Sequence, residues 1–280
     1  MSDRQASRTA FGTACIRAVH QLFDAEPRIL DDPIAPRLLG PDTLRQINDP
    51  SSRYRHPRAA ALRAHVVLRS RFAEDRLAAA VLRGVTQYVV LGAGFDTFAL
   101  RQPAWARTLK ILEVDHPATQ AAKRARIAAA GLVVPPNVDF AQIDFERESL
   151  RDGLQRYGVA ADRRTFFSWL GVTMYLKEDA IDAVLDSVAT FPSGSEIVLT
   201  FAQPPEDDAG HRSALAQRVA AAGEPFVSHF EPRAIEAKLH DAGFATVEFL
   251  SPSDADARYF RQRPDDLPVP VRIGIVSAVR

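Results

Sequence analysis

Two glycines and an aspartate define the chemistry that this chain can support. Gly92 and Gly94 end an apolar run, Tyr88-Val89-Val90-Leu91, and Asp115 closes a second apolar run 23 positions after Gly92. A buried strand, a tight turn and an acid at the tip of the next strand form the layout that holds an adenosine-containing cofactor. Glycines let the main chain turn sharply and leave room for a ligand against it, with Ala93 between them. The carboxylate of Asp115 can accept hydrogen bonds from both ribose hydroxyls; its alternative role is to cap a helix starting near Pro117. Glu113, on the same strand face, is the reserve candidate. The third glycine of the dinucleotide fingerprint is missing, and Thr97 stands in its place. That glycine permits close helix–strand packing around a pyrophosphate. The expected ligand therefore lacks one, as S-adenosylmethionine does.

Further residues extend this site. Asp144 follows the third expected strand, placed to accept the adenine amino group, with Phe145 beside it to pack on the ring; a capping role for Asp144 is the alternative. His116, next to Asp115, and Leu170, after the fourth strand, complete the cofactor set. Arg69 and Arg71 lie on the helix that approaches the cofactor's amino-acid end, where a guanidinium can grip a carboxylate through two hydrogen bonds. Surface ion pairs with Glu74 or Asp75 are equally compatible with helical spacing. Residues 166–175 are aromatic and apolar, so Trp169, Met174 and Tyr175 can wall an acceptor pocket or simply pack in the core. The Tyr175 hydroxyl is the candidate for orienting an acceptor. His20, His116 and His229 are possible bases, and none stands out.

The elements that must position these groups follow from periodicity. Residues 9–23, 33–39 and 58–82 read as helices, and Asp31-Asp32-Pro33 supplies an acid and a proline for a helix start. From residue 87 short apolar runs alternate with helical segments. Strands are expected at 88–91, 110–114, 138–142, 165–169, 196–201, 246–250 and 271–278, with helices at 118–129, 150–157, 177–189 and 232–242. Alternation of this kind builds an α/β fold with a doubly wound, mostly parallel sheet. The last two strands lack a convincing helix between them and are expected to pair antiparallel at one edge. Seven strands with that ending favour the Rossmann-like class I methyltransferase plan. The expected organisation is an N-terminal helical cap over 1–84 and a core over 85–280, the two forming one compact domain. A lid-like insertion is expected over 202–230, after the fifth strand.

Composition narrows the partners. The chain has 280 residues, 46% hydrophobic and 25% charged, which suffices for a full α/β core. Basic and acidic residues balance at 35 each, so no phosphate-neutralising surface and no nucleic-acid partner are expected. Arg53, Arg55, Arg58 and Arg63 are the best candidates for a local basic patch, and a solvated helix face accounts for them equally. Cys15 is the single cysteine, which excludes an internal disulfide and a thiolate zinc cluster; it reads as a buried small residue. No apolar stretch approaches a membrane span, and residues 1–8 lack the apolar core of a signal peptide. A cytoplasmic protein is expected, with a small-molecule acceptor, no membrane partner and a homodimer as the oligomeric possibility.

With these residues in view, the chain resembles the leucine carboxyl methyltransferase-like family, and within it a bacterial, mainly actinobacterial, branch of S-adenosylmethionine-dependent methyltransferases. The resemblance rests on Arg69-Ser70-Arg71-Phe72, Leu91-Gly92-Ala93-Gly94-Phe95-Asp96-Thr97, Glu113-Val114-Asp115-His116-Pro117 and Met174-Tyr175-Leu176. It extends to Ser7-Arg8-Thr9-Ala10, Asp32-Pro33 and Arg258-Tyr259-Phe260. It implies an S-adenosylmethionine site with ribose at Asp115, adenine at Asp144 and Phe145, and the methionine carboxylate at the Arg69/Arg71 segment. Better-known relatives methylate carboxylates. Relatives often carry an acid where this chain has Leu170, so the contact made by that acid does not carry over.

The expected activity is O-methylation of a small carboxylate, or of a phenol, by in-line transfer. A carboxylate is ionised near pH 7 and needs no general base, whereas a phenol does. The competing readings are a nicotinamide-dependent oxidoreductase and a non-catalytic cofactor-binding protein.

Overall fold

The computed structural model describes residues 6–145, 147–204 and 223–280. Seven strands form one sheet: β1 (Gln87–Leu91), β2 (Lys110–Asp115), β3 (Val138–Gln142), β4 (Thr165–Trp169), β5 (Glu196–Thr200), β6 (Thr246–Phe249) and β7 (Ile275–Val279). Their spatial order is β3-β2-β1-β4-β5-β7-β6. Pairings from β3 through β5 are parallel, whereas β7 lies antiparallel to both β5 and β6. The order reverses between β1 and β4, and a crevice opens there beyond the carboxyl ends of the strands.

β1, β4 and β5 are buried along their whole length, which explains why they read as unbroken apolar runs rather than alternating ones. Alternate residues serve two cores. Tyr88, Val90, Ile111, Phe166 and Val198 pack with Leu68, Phe72 and Leu77 of the long helix α4 (Ala60–Leu82). Val89, Leu91, Leu112, Val114, Phe167 and Trp169 face α7 (Leu150–Arg156), α8 (Glu178–Ala189) and α9 (Pro232–Asp241).

A third core joins α1 (Arg8–Phe23), α2 (Ile34–Leu39) and α3 (Pro41–Asn48) to Phe95, to Leu100 of α5 (Phe98–Arg101) and to Ile127 of α6 (Pro117–Ala129). Cys15 is buried within it. The short α3 has no counterpart in the sequence reading; Pro41 at its first position marks its start. Asp32 caps α2 as its spacing suggested, through Oδ1 and the Ala35 N–H at 3.0 Å.

The β6–β7 connection holds a four-residue helix, α10 (Pro252–Ala255), and a π-helical turn at Asp256–Phe260, so β7 starts at Ile275 rather than 271. Most of the expected lid, residues 205–222, lies outside the described residues. Among those described, no helix is long and apolar enough to cross a membrane, and no cluster of potential metal ligands occurs.

Candidate cofactor and active site

The carboxyl ends of β1 to β4 line a cavity of about 400 Å³, roofed by the start of α1 and by residues 223–227. Gly92 and Gly94 turn the chain at its floor with φ of +67° and +50°, backbone that suits glycine. A Cβ on Gly92 would also lie 2.3 Å from Cγ2 of Val172, so the loop after β4 packs directly on the glycine turn.

Asp115, at the tip of β2, lines this cavity. Its Oδ1 accepts from the His116 N–H at 2.7 Å and its Oδ2 from the Gly94 N–H. Burial raises its pKa, opposed by these two amide donors. They fix the carboxylate while leaving lone pairs for a diol. The helix-capping alternative falls to its neighbour: His116 is the N-cap of α6, with Nδ1 accepting from Ala118 N–H at 3.3 Å. Glu113 is absent from the cavity wall. Its carboxylate pairs with the buried Lys123, and burial pushes it up to about 7.

Asp144 and Phe145 line the cavity at the β3 end together with Ile143. Asp144 Oδ2 is 4.0 Å from His116 Nε2 and 3.7 Å from Arg147 Nε.

The two arginines of α4 separate. Arg69 faces the cavity, and its guanidinium sits within 2.6 Å of where a Gly171 Cβ would stand. Among the described residues it has no hydrogen bond or salt bridge, and burial lowers its pKa to about 10. Arg71 instead turns outward and pairs with Asp75 at 2.8 Å, the surface ion pair that helical spacing allowed. It does not line the cavity. Behind Arg69, one turn earlier, His65 bonds the Ile273 carbonyl at 2.6 Å; burial pushes it down to about 4, so its ring is neutral and donates.

The fourth-strand aromatics also divide. Leu170 and Tyr175 line the cavity with Gly171 and Val172. Trp169 does not: it is 0% exposed, and strand alternation directs it with Phe167 into the core under α8. Its indole Nε1 is buried without a hydrogen-bond partner among the described residues. Met174 is buried off the cavity wall as well, in the 3-10 turn Thr173–Tyr175, and its carbonyl accepts from the Val227 N–H at 2.8 Å. Burial pushes the Tyr175 phenol up to about 12, and its ring meets Phe226 edge-on at 5.3 Å. Of the three histidines, only His116 reaches the cavity. His20 is buried in a pair with Asp24, and His229 packs near Phe226.

Sequence reasoning missed the residues that α1 contributes. Arg17 lines the cavity, donates Nε to Asp32 at 3.1 Å and holds the Phe95 carbonyl with Nη2. Asp32, 1% exposed, also accepts from Thr97 Oγ1 at 2.7 Å. The threonine in the third-glycine position thus ties the cofactor loop to the N-terminal helices. Glu224 was missed too. Its carboxylate accepts from the N–H groups of Arg8 and Thr9, both at 3.1 Å, and from Ser7 Oγ at 3.2 Å, capping α1 from the far end of the chain. Partners more than 200 positions apart leave no spacing signal.

A larger recess, about 560 Å³, lies open between α6 and β3. It is remote from the convergent polar groups, and its Arg124 stacks on Phe140 at 5.5 Å. Convergent chemistry, rather than volume, marks the 400 Å³ cavity as the functional one.

Strand order, the antiparallel seventh strand and the glycine-turn crevice define a class I methyltransferase fold. Two solved structures share it over nearly the whole chain. A DUF574 family protein from Streptomyces avermitilis has a TM-score of 0.57 at 15% identity, with 98% of this chain and 97% of that one covered. A Thermobifida fusca structure has 0.54 at 16%, with 99% and 95% covered. A sequence profile described as "Leucine carboxyl methyltransferase" matches residues 10–189. The Bacillus subtilis protein named "Putative S-adenosyl-L-methionine-dependent methyltransferase YktD" is 30% identical over the full length of both chains. SCO7813 of Streptomyces coelicolor, which bears the same description, is 31% identical over 69% of this chain and 68% of its own. The chain belongs to the leucine carboxyl methyltransferase family and is an S-adenosylmethionine-dependent methyltransferase.

Proposed function

We propose that the chain transfers the methyl group of S-adenosylmethionine to a carboxylate oxygen of a small molecule. The cofactor would lie with adenine at Asp144 and Phe145, ribose at Asp115 and the methionine carboxylate on Arg69. The sulfonium then faces the end of β4, where Leu170, Val172 and Leu176 form apolar walls.

The observation that carries this reading is the absence of an available base at that end among the described residues. Tyr175 is held protonated by burial, Glu224 is committed to the start of α1, Arg69 is a cation, and the Asp96 carboxylate is held by the Phe98 N–H on the glycine loop, on the cofactor side. A carboxylate acceptor needs none, because it is ionised near neutrality. Methyl transfer to it from a sulfonium neutralises two charges. The protein's task is to align donor and acceptor and exclude water, and the apolar walls at the end of β4 favour both. Tyr175, with its proton in place, can donate a hydrogen bond to the acceptor and orient it. Family membership speaks against the nicotinamide reading.

The test is labelled-methyl transfer across a panel of small carboxylic acids and phenols, with a pH–rate profile on any substrate found. Carboxylate methylation should give a profile flat between about pH 6 and 9, since neither the acceptor nor Tyr175 titrates there. A rise governed by a single basic group would assign phenols instead. Tight cofactor binding with no transfer to any acceptor would support a non-catalytic binding protein.

A further inference from the structure

The cofactor's amino-acid end is a zwitterion, and a site that grips only its carboxylate leaves an ammonium to be desolvated without a partner. Four carboxylates line the cavity among the described residues: Asp96, Asp115, Asp144 and Glu224. Three are committed. Asp115 is held by two backbone amides at the ribose position. Asp144 lies between His116 and Arg147 at the adenine end. Glu224 accepts three hydrogen bonds from Ser7, Arg8 and Thr9.

Asp96 differs from all three. Its Oδ1 accepts from the Phe98 N–H at 2.8 Å, which fixes the carboxylate on the glycine loop, and among the described residues it has no salt bridge. It belongs to the electrostatic neighbourhood of two arginines: Arg101, which is paired with Glu74, and Arg69, the cavity cation that has no salt bridge among the described residues. Leu170, on the opposite wall after β4, offers no charge. One cation and one anion, neither in a salt bridge among the described residues, thus face the same chamber. That arrangement complements an α-amino acid, whose two charged groups are two bonds apart.

We propose that Asp96 binds the α-ammonium of the cofactor's methionine moiety and, with Arg69, forms a two-charge clamp for its amino-acid end. This rests on the cofactor placement given above and adds the residue that selects for the amino group.

Calorimetry on the full chain with two probes tests it: S-adenosylhomocysteine, and its deamino analogue 5′-S-(3-carboxypropyl)-5′-thioadenosine. Asp96→Asn keeps an acceptor for Phe98 N–H, so the loop should fold. It should weaken S-adenosylhomocysteine by at least about tenfold, the scale of a charge-assisted hydrogen bond, and leave the deamino analogue within about twofold. Asp96→Glu should recover part of the loss. Equal weakening of both probes would overturn the assignment, as would wild-type protein that binds both equally. Wild-type protein that binds neither would overturn the cofactor placement itself, a distinguishable failure.

Discussion

The cofactor half and the acceptor half of the cavity are built in different ways. The residues proposed for adenine and ribose, with the glycine turn, come from strand ends between positions 92 and 145, in order along the chain and braced by backbone hydrogen bonds such as Gly94 N–H to Asp115. The proposed acceptor half gathers α1, the loop from Leu170 to Leu176, and residues 223–227. Its pieces are held by long-range contacts: Glu224 on α1, Val172 on Gly92, Arg17 on Phe95. One half therefore depends on a local motif, and the other on how distant segments meet. A fold can keep the first and vary the second, which is how one architecture serves many acceptors.

Substitutions can break or sharpen that contrast. The largest effect belongs to neither half. Trp169→Ala should destabilise the protein by about 3–5 kcal/mol in urea unfolding, the cost of emptying a large aromatic site. Cofactor affinity measured well below the transition should survive, because the indole lies in the core. A change in acceptor preference without loss of stability would put Trp169 back on the pocket wall.

Next comes Asp115→Ala, which should weaken S-adenosylhomocysteine binding by about 1.5–3 kcal/mol, the range for hydrogen bonds to a charged group. Unchanged affinity in calorimetry would remove Asp115 from the ribose position and blur the distinction between the halves. The smallest effect is expected at Arg71. Its pair with Asp75 is exposed, so Arg71→Ala should change stability by less than about 1 kcal/mol and leave cofactor affinity unaltered. A loss of binding comparable to that of Arg69→Ala would mean that both arginines serve the methionine carboxylate.

The strands, the antiparallel edge pair and the glycine-turn crevice were legible because short apolar runs, glycine turns and acids at strand tips are local features. Gly92, Gly94, Asp115, Asp144 and Phe145 all reach the expected cavity. Trp169 and Met174 stayed open between pocket wall and core because aromatic and apolar residues after a strand look alike in either place. Strand alternation and a 3-10 turn decided between the two. Arg69 and Arg71 were equivalent on helical spacing, and the direction in which α4 packs on the sheet separated them.

By itself, the sequence determined the cofactor class and the sheet that presents it, since both follow from short-range patterns of glycine, acid and apolar residues. Tertiary structure alone decided that Thr97 answers Asp32, that Glu224 caps α1, and that Asp96 and Arg69 share one chamber. Those pairings bring polar and charged groups together across tens to hundreds of residues. Their energies depend on burial and geometry, which no spacing along the chain encodes.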